Sequence, residues 1–123
     1  MSSGKKTILI VDDSPMIVQR ITEMLEELGN PGVIAKAGSY SEAIQFINNN
    51  HPDILLLDIN LPDKSGIEIL RISKEKDPSV KVIMITNQAN EYYKKLCFRL
   101  GADYFIDKSK EFEKIAGIIA AAT

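Results

Sequence analysis

Two apolar runs of this 123-residue chain end in acidic side chains. Residues 8–11 lead into Asp12 and Asp13, and residues 54–57 lead into Asp58. Three carboxylates held together suit a hard divalent cation such as Mg²⁺, which binds oxygen ligands. The acids therefore predict chemistry that uses a bound divalent cation.

Two further apolar runs end in a hydroxyl and an ammonium. Residues 82–85 lead into Thr86, and residues 104–106 are followed by Asp107 and Lys108. A hydroxyl and a lysine beside a cation site are equipment for handling a phosphoryl group. The reaction class that these side chains indicate is phosphoryl transfer.

All of these side chains are expected at one edge of a sheet. Continuous apolar runs of this length are typical of strands buried on both faces, and hence of a parallel sheet covered by helices. In open sheets of this kind, sites form just outside the carboxyl ends of the strands. The predicted strands alone would therefore bring these side chains together at one site.

Segments with helical periodicity separate the predicted strands. The strands are expected over about 7–11, 33–35, 53–57, 81–85 and 103–106. The helices are expected over about 15–28, 40–47, 67–77, 90–100 and 110–121. Five strand–helix units in strict alternation, with right-handed crossovers, predict an α/β doubly wound, three-layer sandwich with five helices. We expect residues 1–6 to be a disordered N-terminus and residues 7–121 to form one domain.

Composition excludes several other classes of protein. The chain is 45% hydrophobic with a net charge of −2, so it lacks the basic surface of a nucleic-acid-binding domain. Its longest apolar runs fall far short of the roughly 20 residues that span a bilayer. Cys97 is the single cysteine, which fits a reducing compartment. We expect a cytoplasmic protein with no direct contact to nucleic acid or membrane.

The chain resembles the receiver domain of response regulators in two-component signalling, and specifically receivers like the chemotaxis regulator. The resemblance covers essentially all of residues 7–121 and rests on Asp12-Asp13, on Asp58 with Asn60-Leu61-Pro62 and Gly66 behind it, and on Thr86 and Lys108. It implies a five-stranded parallel sheet of order 2-1-3-4-5 and a flavodoxin-like fold.

The resemblance also implies a role for each charged residue. Asp58 would be the phosphoacceptor, taking a phosphoryl group from a sensor histidine kinase or a phosphotransfer protein. Asp13 and Asp58 would bind Mg²⁺ directly, together with the backbone carbonyl of Asn60, and Asp12 would act through bound water. Lys108 is expected to pair with Asp58 and to matter more for the switch than for the fold.

Conformational switching is implied for a further pair of residues. Thr86 would bond a phosphoryl oxygen and Phe105 would then turn inward, although an aromatic side chain here could equally be core filling. Asn60 and Gln88 would flank the phosphoryl group. The output is expected to be a downstream protein target or a self-dimer, bound through the face formed by residues 90–119.

The sequence departs from the family pattern at Ser109, where receivers commonly have a proline preceded by a cis bond. A cis peptide bond without proline costs about 3–4 kcal/mol. We therefore expect the Lys108–Ser109 bond to be trans.

Two other functions share part of this residue set. A small Mg²⁺-dependent phosphatase with an aspartate nucleophile needs a second acid two residues after the first, and here that residue is Asn60. A flavin carrier needs a Ser/Thr/Gly-rich phosphate loop after strand one, where Asp12 and Asp13 would repel phosphate. We expect a switch rather than an enzyme, one that supports only its own phosphoryl transfer and autodephosphorylation.

Overall fold

Strands and helices alternate along the chain, as the apolar periodicity predicts. The computed structural model describes residues 6–29, 32–87 and 90–122. Of the N-terminus that we expect to be disordered, residues 1–5 lie outside this part of the chain. The strands are β1 Thr7–Val11, β2 Val33–Ala37, β3 Ile54–Asp58, β4 Lys81–Thr86 and β5 Tyr104–Asp107. The helices are α1 Pro15–Glu26, α2 Tyr40–Asn50, α3 Gly66–Lys76, α4 Glu91–Arg99 and α5 Lys114–Ala122.

The five strands form one parallel sheet of order β2-β1-β3-β4-β5, which confirms the predicted fold class. Side chains alternate across this sheet, because successive residues of a strand point to opposite faces. One face packs against α2, α3 and α4, and the other packs against α1 and α5. Strands β1, β3 and β4 are covered on both sides, which explains why their sequences are uninterrupted apolar runs.

Local capping signals place the first two helices. Ser14 caps α1 by accepting a hydrogen bond from the Ile17 N–H, with Pro15 in the first turn. Ser39 caps α2 by accepting from the Glu42 N–H. The Glu42 carboxylate accepts from the Gly38 N–H at 2.8 Å, one residue earlier than a capping box would place it.

The last helix begins four residues later than the sequence predicts. Residues 110–113 have good helix formers, but the structure places them in turns, and α5 starts at Lys114. Phe112 is buried against the face formed by α1 and α5. Hydrogen bonds that Asp107 makes with the residues after it hold this turn. None of the helices in the described part of the chain is long and apolar enough to cross a bilayer.

Two helical glycines differ in the space around them. A Cβ built on Gly66, the first residue of α3, would lie 1.9 Å from the carbonyl oxygen of Asp58, whereas one on Gly117 in α5 would meet nothing within 4 Å. We expect Gly66→Ala to lower the free energy of unfolding by about 1–3 kcal/mol, because the Asp58 backbone must move. Gly117→Ala should raise it by about 0.5–1 kcal/mol. Chemical denaturation followed by circular dichroism measures both values, and equal stability of Gly66→Ala and wild type would contradict the close approach.

Candidate functional site

Three of the predicted acids converge at the carboxyl edge of the sheet. Asp12 and Asp13 follow β1, and Asp58 is the last residue of the neighbouring strand β3. Each offers a carboxylate oxygen, and these three oxygens lie within 4.8 Å of one another. Asp12 and Asp58 are buried and Asp13 is exposed, so the cluster is open to solvent on one side only.

Lys108 bridges the two buried acids. Its Nζ lies 2.5 Å from Asp12 Oδ2 and 3.1 Å from Asp58 Oδ2. The three side chains are 8%, 0% and 7% exposed, respectively. The sequence predicted the pair with Asp58 but not the one with Asp12. An ammonium that neutralises two buried carboxylates also contributes to the stability of this edge. The expectation that Lys108 matters more for the switch than for the fold stays a prediction.

The charges of the cluster shift the pKa values of both partners. Burial raises the pKa of Asp58; the Lys108 ammonium opposes this shift and the Asp12 charge adds to it. Burial acts to lower the pKa of Lys108, but its hydrogen bond to Asp12 and the charge of Asp58 outweigh that effect and raise it. Lys108 therefore stays protonated at neutral pH, while Asp58 sits where negative charge is costly.

Short turns orient the two buried carboxylates. Asp12 Oδ1 accepts a hydrogen bond from the Ser14 N–H at 2.9 Å, and Asp58 Oδ1 accepts from the Asn60 N–H at 3.3 Å. Each acid thus binds the backbone two residues ahead with one oxygen and turns the other toward Lys108. The chain fixes the direction of both carboxylates before any ligand arrives.

Three of the four remaining predicted residues, Thr86, Phe105 and Asn60, lie in the described part of the chain. Thr86 ends β4, is fully buried, and accepts a hydrogen bond from the Lys108 N–H through its carbonyl at 3.0 Å. Phe105 is half-buried and packs against the core on the α4 side of the sheet. Asn60 is exposed beside Asp58, and Gln88 lies outside the described residues. The roles implied for these residues stay predictions.

The bond after Lys108 is trans, as predicted from the sequence. No cis peptide bond occurs in residues 6–29, 32–87 and 90–122. Ser109 donates both its N–H and its Oγ hydroxyl to Asp107 Oδ1, at 2.8 and 2.6 Å. A turn closed by side-chain bonds thus stands where the family commonly has a proline.

Sequence reasoning missed one residue that fixes the loop after Asp58. Asp63 accepts hydrogen bonds from the Tyr40 and Ser41 N–H groups at 2.8 and 3.0 Å, so it binds the N-terminus of α2. Desolvation acts to raise the pKa of Asp63, but these N–H donors outweigh it and lower the pKa. The partners lie more than twenty residues apart in sequence, and no local pattern signals the contact.

Comparison with known proteins gives a consistent picture. The family model described as "Response regulator receiver domain" matches residues 8–120. EvgA of Escherichia coli (strain K12), a "DNA-binding transcriptional activator", is 26% identical over 114 residues, which are 93% of this chain and 55% of EvgA. The chain therefore spans about half the length of the curated relatives it matches.

Solved structures match over nearly the whole chain. A CheY-like response regulator receiver domain protein from Methanospirillum hungatei JF-1 has 31% sequence identity and a TM-score of 0.83, covering 97% of each chain. The BeF₃-activated receiver domain of DrrB, a Thermotoga maritima protein, has 28% identity and a TM-score of 0.82, covering 96% of this chain and 97% of that one.

Replacing the bridging ammonium tests its contribution to the fold. Lys108→Met keeps most of the length of the unbranched side chain but leaves Asp12 and Asp58 buried without a cation. We expect the free energy of unfolding in chelator to fall by about 3 kcal/mol. Lys95→Ala, at an exposed position of α4, is the control and should change it by less than about 0.5 kcal/mol. Denaturation in EDTA measures both variants, and a Lys108→Met protein as stable as Lys95→Ala would show that the bridge is not structural.

Proposed function

The chain belongs to the response regulator receiver domain family, and we propose that it is a phosphorylatable switch whose Asp58 accepts a phosphoryl group from a sensor histidine kinase or a phosphotransfer protein. One observation carries this proposal. Asp58, at the end of the central strand, shares the Lys108 ammonium with Asp12 and lies beside the exposed Asp13. A nucleophilic carboxylate, a cation and an open side are the parts that phosphoryl uptake needs.

Phosphoryl transfer at this site is a displacement at phosphorus. A carboxylate oxygen of Asp58 forms the new bond to phosphorus as the bond to the donor's imidazole nitrogen breaks, and the imidazole keeps that electron pair. The attacking and transferred groups are both negative, so the reaction requires positive charge that is already in position. The Lys108 ammonium, 3.1 Å from Asp58, supplies it.

The acid cluster fits a hard divalent cation. All of its donors are carboxylate oxygens, one each from Asp12, Asp13 and Asp58, and they lie within 4.8 Å of one another. We infer that Asp13, Asp58 and the Asn60 carbonyl would hold Mg²⁺, with Asp12 acting through water. When bound, Mg²⁺ supplies charge that shields the phosphoryl oxygens.

The conformational response to phosphorylation would begin at the carboxyl ends of β4 and β5, beside Lys108. We infer that Thr86 bonds a phosphoryl oxygen and that Phe105 then turns inward, while Asn60 and Gln88 flank the phosphoryl group. Three large hydrophobic side chains on α4 and β5 are exposed and support a binding face over residues 90–119: Tyr92, Phe98 and Tyr104 at 72%, 43% and 38%. The partner would be a downstream protein or a second copy of this chain.

We further propose that the domain works in the cytoplasm and contacts neither nucleic acid nor membrane directly. Its net charge of −2 supports this. EvgA is named as DNA-binding, but the matched region is 55% of EvgA, so that activity can reside in the part that this chain does not match.

Intact mass spectrometry tests the phosphoacceptor. Wild-type protein with Mg²⁺ and acetyl phosphate is expected to gain one phosphoryl mass, and both Asp58→Asn and wild type in EDTA are expected to gain none. Full labelling of Asp58→Asn would sink the assignment. Steady turnover of a generic phosphate ester by the wild type would instead favour the alternative phosphatase.

The binding face is tested with the phosphoryl mimic BeF₃⁻. Amide NMR shifts are expected to reach Tyr92 and Phe98 on α4 when BeF₃⁻ and Mg²⁺ are added, because switching repacks this face. Asp58→Asn is the matched control and should show no such shifts. Shifts confined to the loops around Asp58 would contradict the proposed output surface.

A further inference from the structure

The segment that carries Lys108 is closed on itself by the residue before it. Asp107 Oδ1 accepts two hydrogen bonds from Ser109, one from its N–H and one from its hydroxyl. The Asp107 N–H donates to Glu111 Oε1 at 3.1 Å, and the Asp107 carbonyl accepts from the Glu111 N–H at 2.8 Å. Asp107, Ser109 and Glu111 thus hold the backbone on both sides of Lys108, and we call these three residues the lysine bracket.

The lysine bracket is fixed to the domain at both of its ends. Before it, the pairing of Thr86 with Asp107 continues the sheet, and the Lys108 N–H donates to the Thr86 carbonyl. After it, Phe112 is buried, with the Arg20 guanidinium 4.2 Å from the centre of its ring. The segment is anchored to β4 on one side and to α1 on the other, so the bracket sets the direction in which Lys108 leaves the backbone.

Lys108 needs this support because a lysine side chain is flexible. Its charge is carried on a four-carbon stem with many rotamers. The ammonium must nevertheless reach two separate carboxylates, and misplacement of a reacting or positioning group by about 1 Å can cost about 100-fold in rate. The hydrogen bonds of the bracket join Asp107 to Ser109 and Glu111 and do not involve Asp58, and Ser109 is exposed.

We propose that Asp107, Ser109 and Glu111 are positioning residues for Lys108, and that they set the rate at which Asp58 takes up a phosphoryl group without contacting that group. This inference rests on the proposed function. In this inference, Ser109 holds the segment through two hydrogen bonds, one from its backbone N–H and one from its hydroxyl, and the peptide bond before it is trans.

Phosphoryl uptake from acetyl phosphate measures the effect of the bracket. Asp107→Ala removes the acceptor of both Ser109 hydrogen bonds. It is expected to slow phosphoryl uptake about tenfold, less than the roughly 100-fold loss caused by a misplacement of about 1 Å, because the other anchors of the segment remain. Asp107→Asn keeps an oxygen in the same place and should stay within about twofold of wild type by the same argument. Glu113→Ala, which removes an exposed side chain of the same segment that makes no hydrogen bond to the bracket, is the matched control and should leave the rate unchanged. Ser109→Ala, which removes only the hydroxyl bond, is a milder variant for the case in which Asp107→Ala does not fold.

A double-mutant cycle with Lys108→Ala separates positioning from folding. If the bracket acts through Lys108, Asp107→Ala and Ser109→Ala should have no further effect in the Lys108→Ala protein. Where phosphoryl uptake is too slow to detect, the same double-mutant cycle can be built from the dissociation constants of BeF₃⁻ measured by NMR titration.

Three results would overturn the inference: wild-type uptake in both Asp107→Ala and Ser109→Ala, equal losses in Asp107→Asn and Asp107→Ala, or an undiminished effect in the Lys108→Ala background. Failure of the wild type itself to gain a phosphoryl mass would instead overturn the proposed function, so the two failures are distinguishable.

Discussion

The constraint on which this edge of the sheet depends is the burial of two carboxylates side by side. Parallel pairing of β1 with β3 brings Asp12 and Asp58 together, and both are buried. Buried charges are costly unless they are paired. The compensating charge comes from the end of β5, two strand positions from β3 and hence about 10 Å away. The long side chain of Lys108 and the Asp58 carboxylate together bridge this distance, with Nζ 3.1 Å from Asp58 Oδ2. Strand β4, which ends at Thr86, lies between β3 and β5.

One local device recurs at three strand ends of this edge. In each case an aspartate after or at the end of a strand accepts a hydrogen bond from the N–H two residues ahead: Asp12 from Ser14, Asp58 from Asn60 and Asp107 from Ser109. Such turns compete with helix formation and delay it. What distinguishes the three is the remaining acceptor capacity. Asp12 and Asp58 each direct their second carboxylate oxygen to the Lys108 ammonium. Asp107 instead accepts a second hydrogen bond from the Ser109 hydroxyl, which holds the turn closed.

The strands and the acids were predictable because their signals are local. A strand buried on both faces must be apolar throughout, and the residue that follows it must lie at the sheet edge. The late start of α5 was not predicted, since residues 110–113 favour a helix, and what opposes it is the turn closed by Asp107 together with the packing of Phe112 near the distant Arg20. The same limit hid the contact of Asp63 with α2 and the contact of Lys108 with Asp12. Both depend on partners that the fold, rather than the sequence neighbourhood, supplies.

A sheet edge built in this way couples its chemistry to one short strand. In the proposed switch, a phosphoryl group on Asp58 would compete with Asp12 for the Lys108 ammonium, because Lys108 pairs with both Asp12 and Asp58. Lys108 follows β5 directly, and Phe105 is the second residue of that strand. A change in where the ammonium binds is therefore taken up either by the flexible Lys108 side chain or by a displacement of β5, which carries Phe105. The stiffness of the bracket decides between these outcomes: a firmly held Lys108 backbone favours a change of side-chain position, and a loose one favours displacement of the strand.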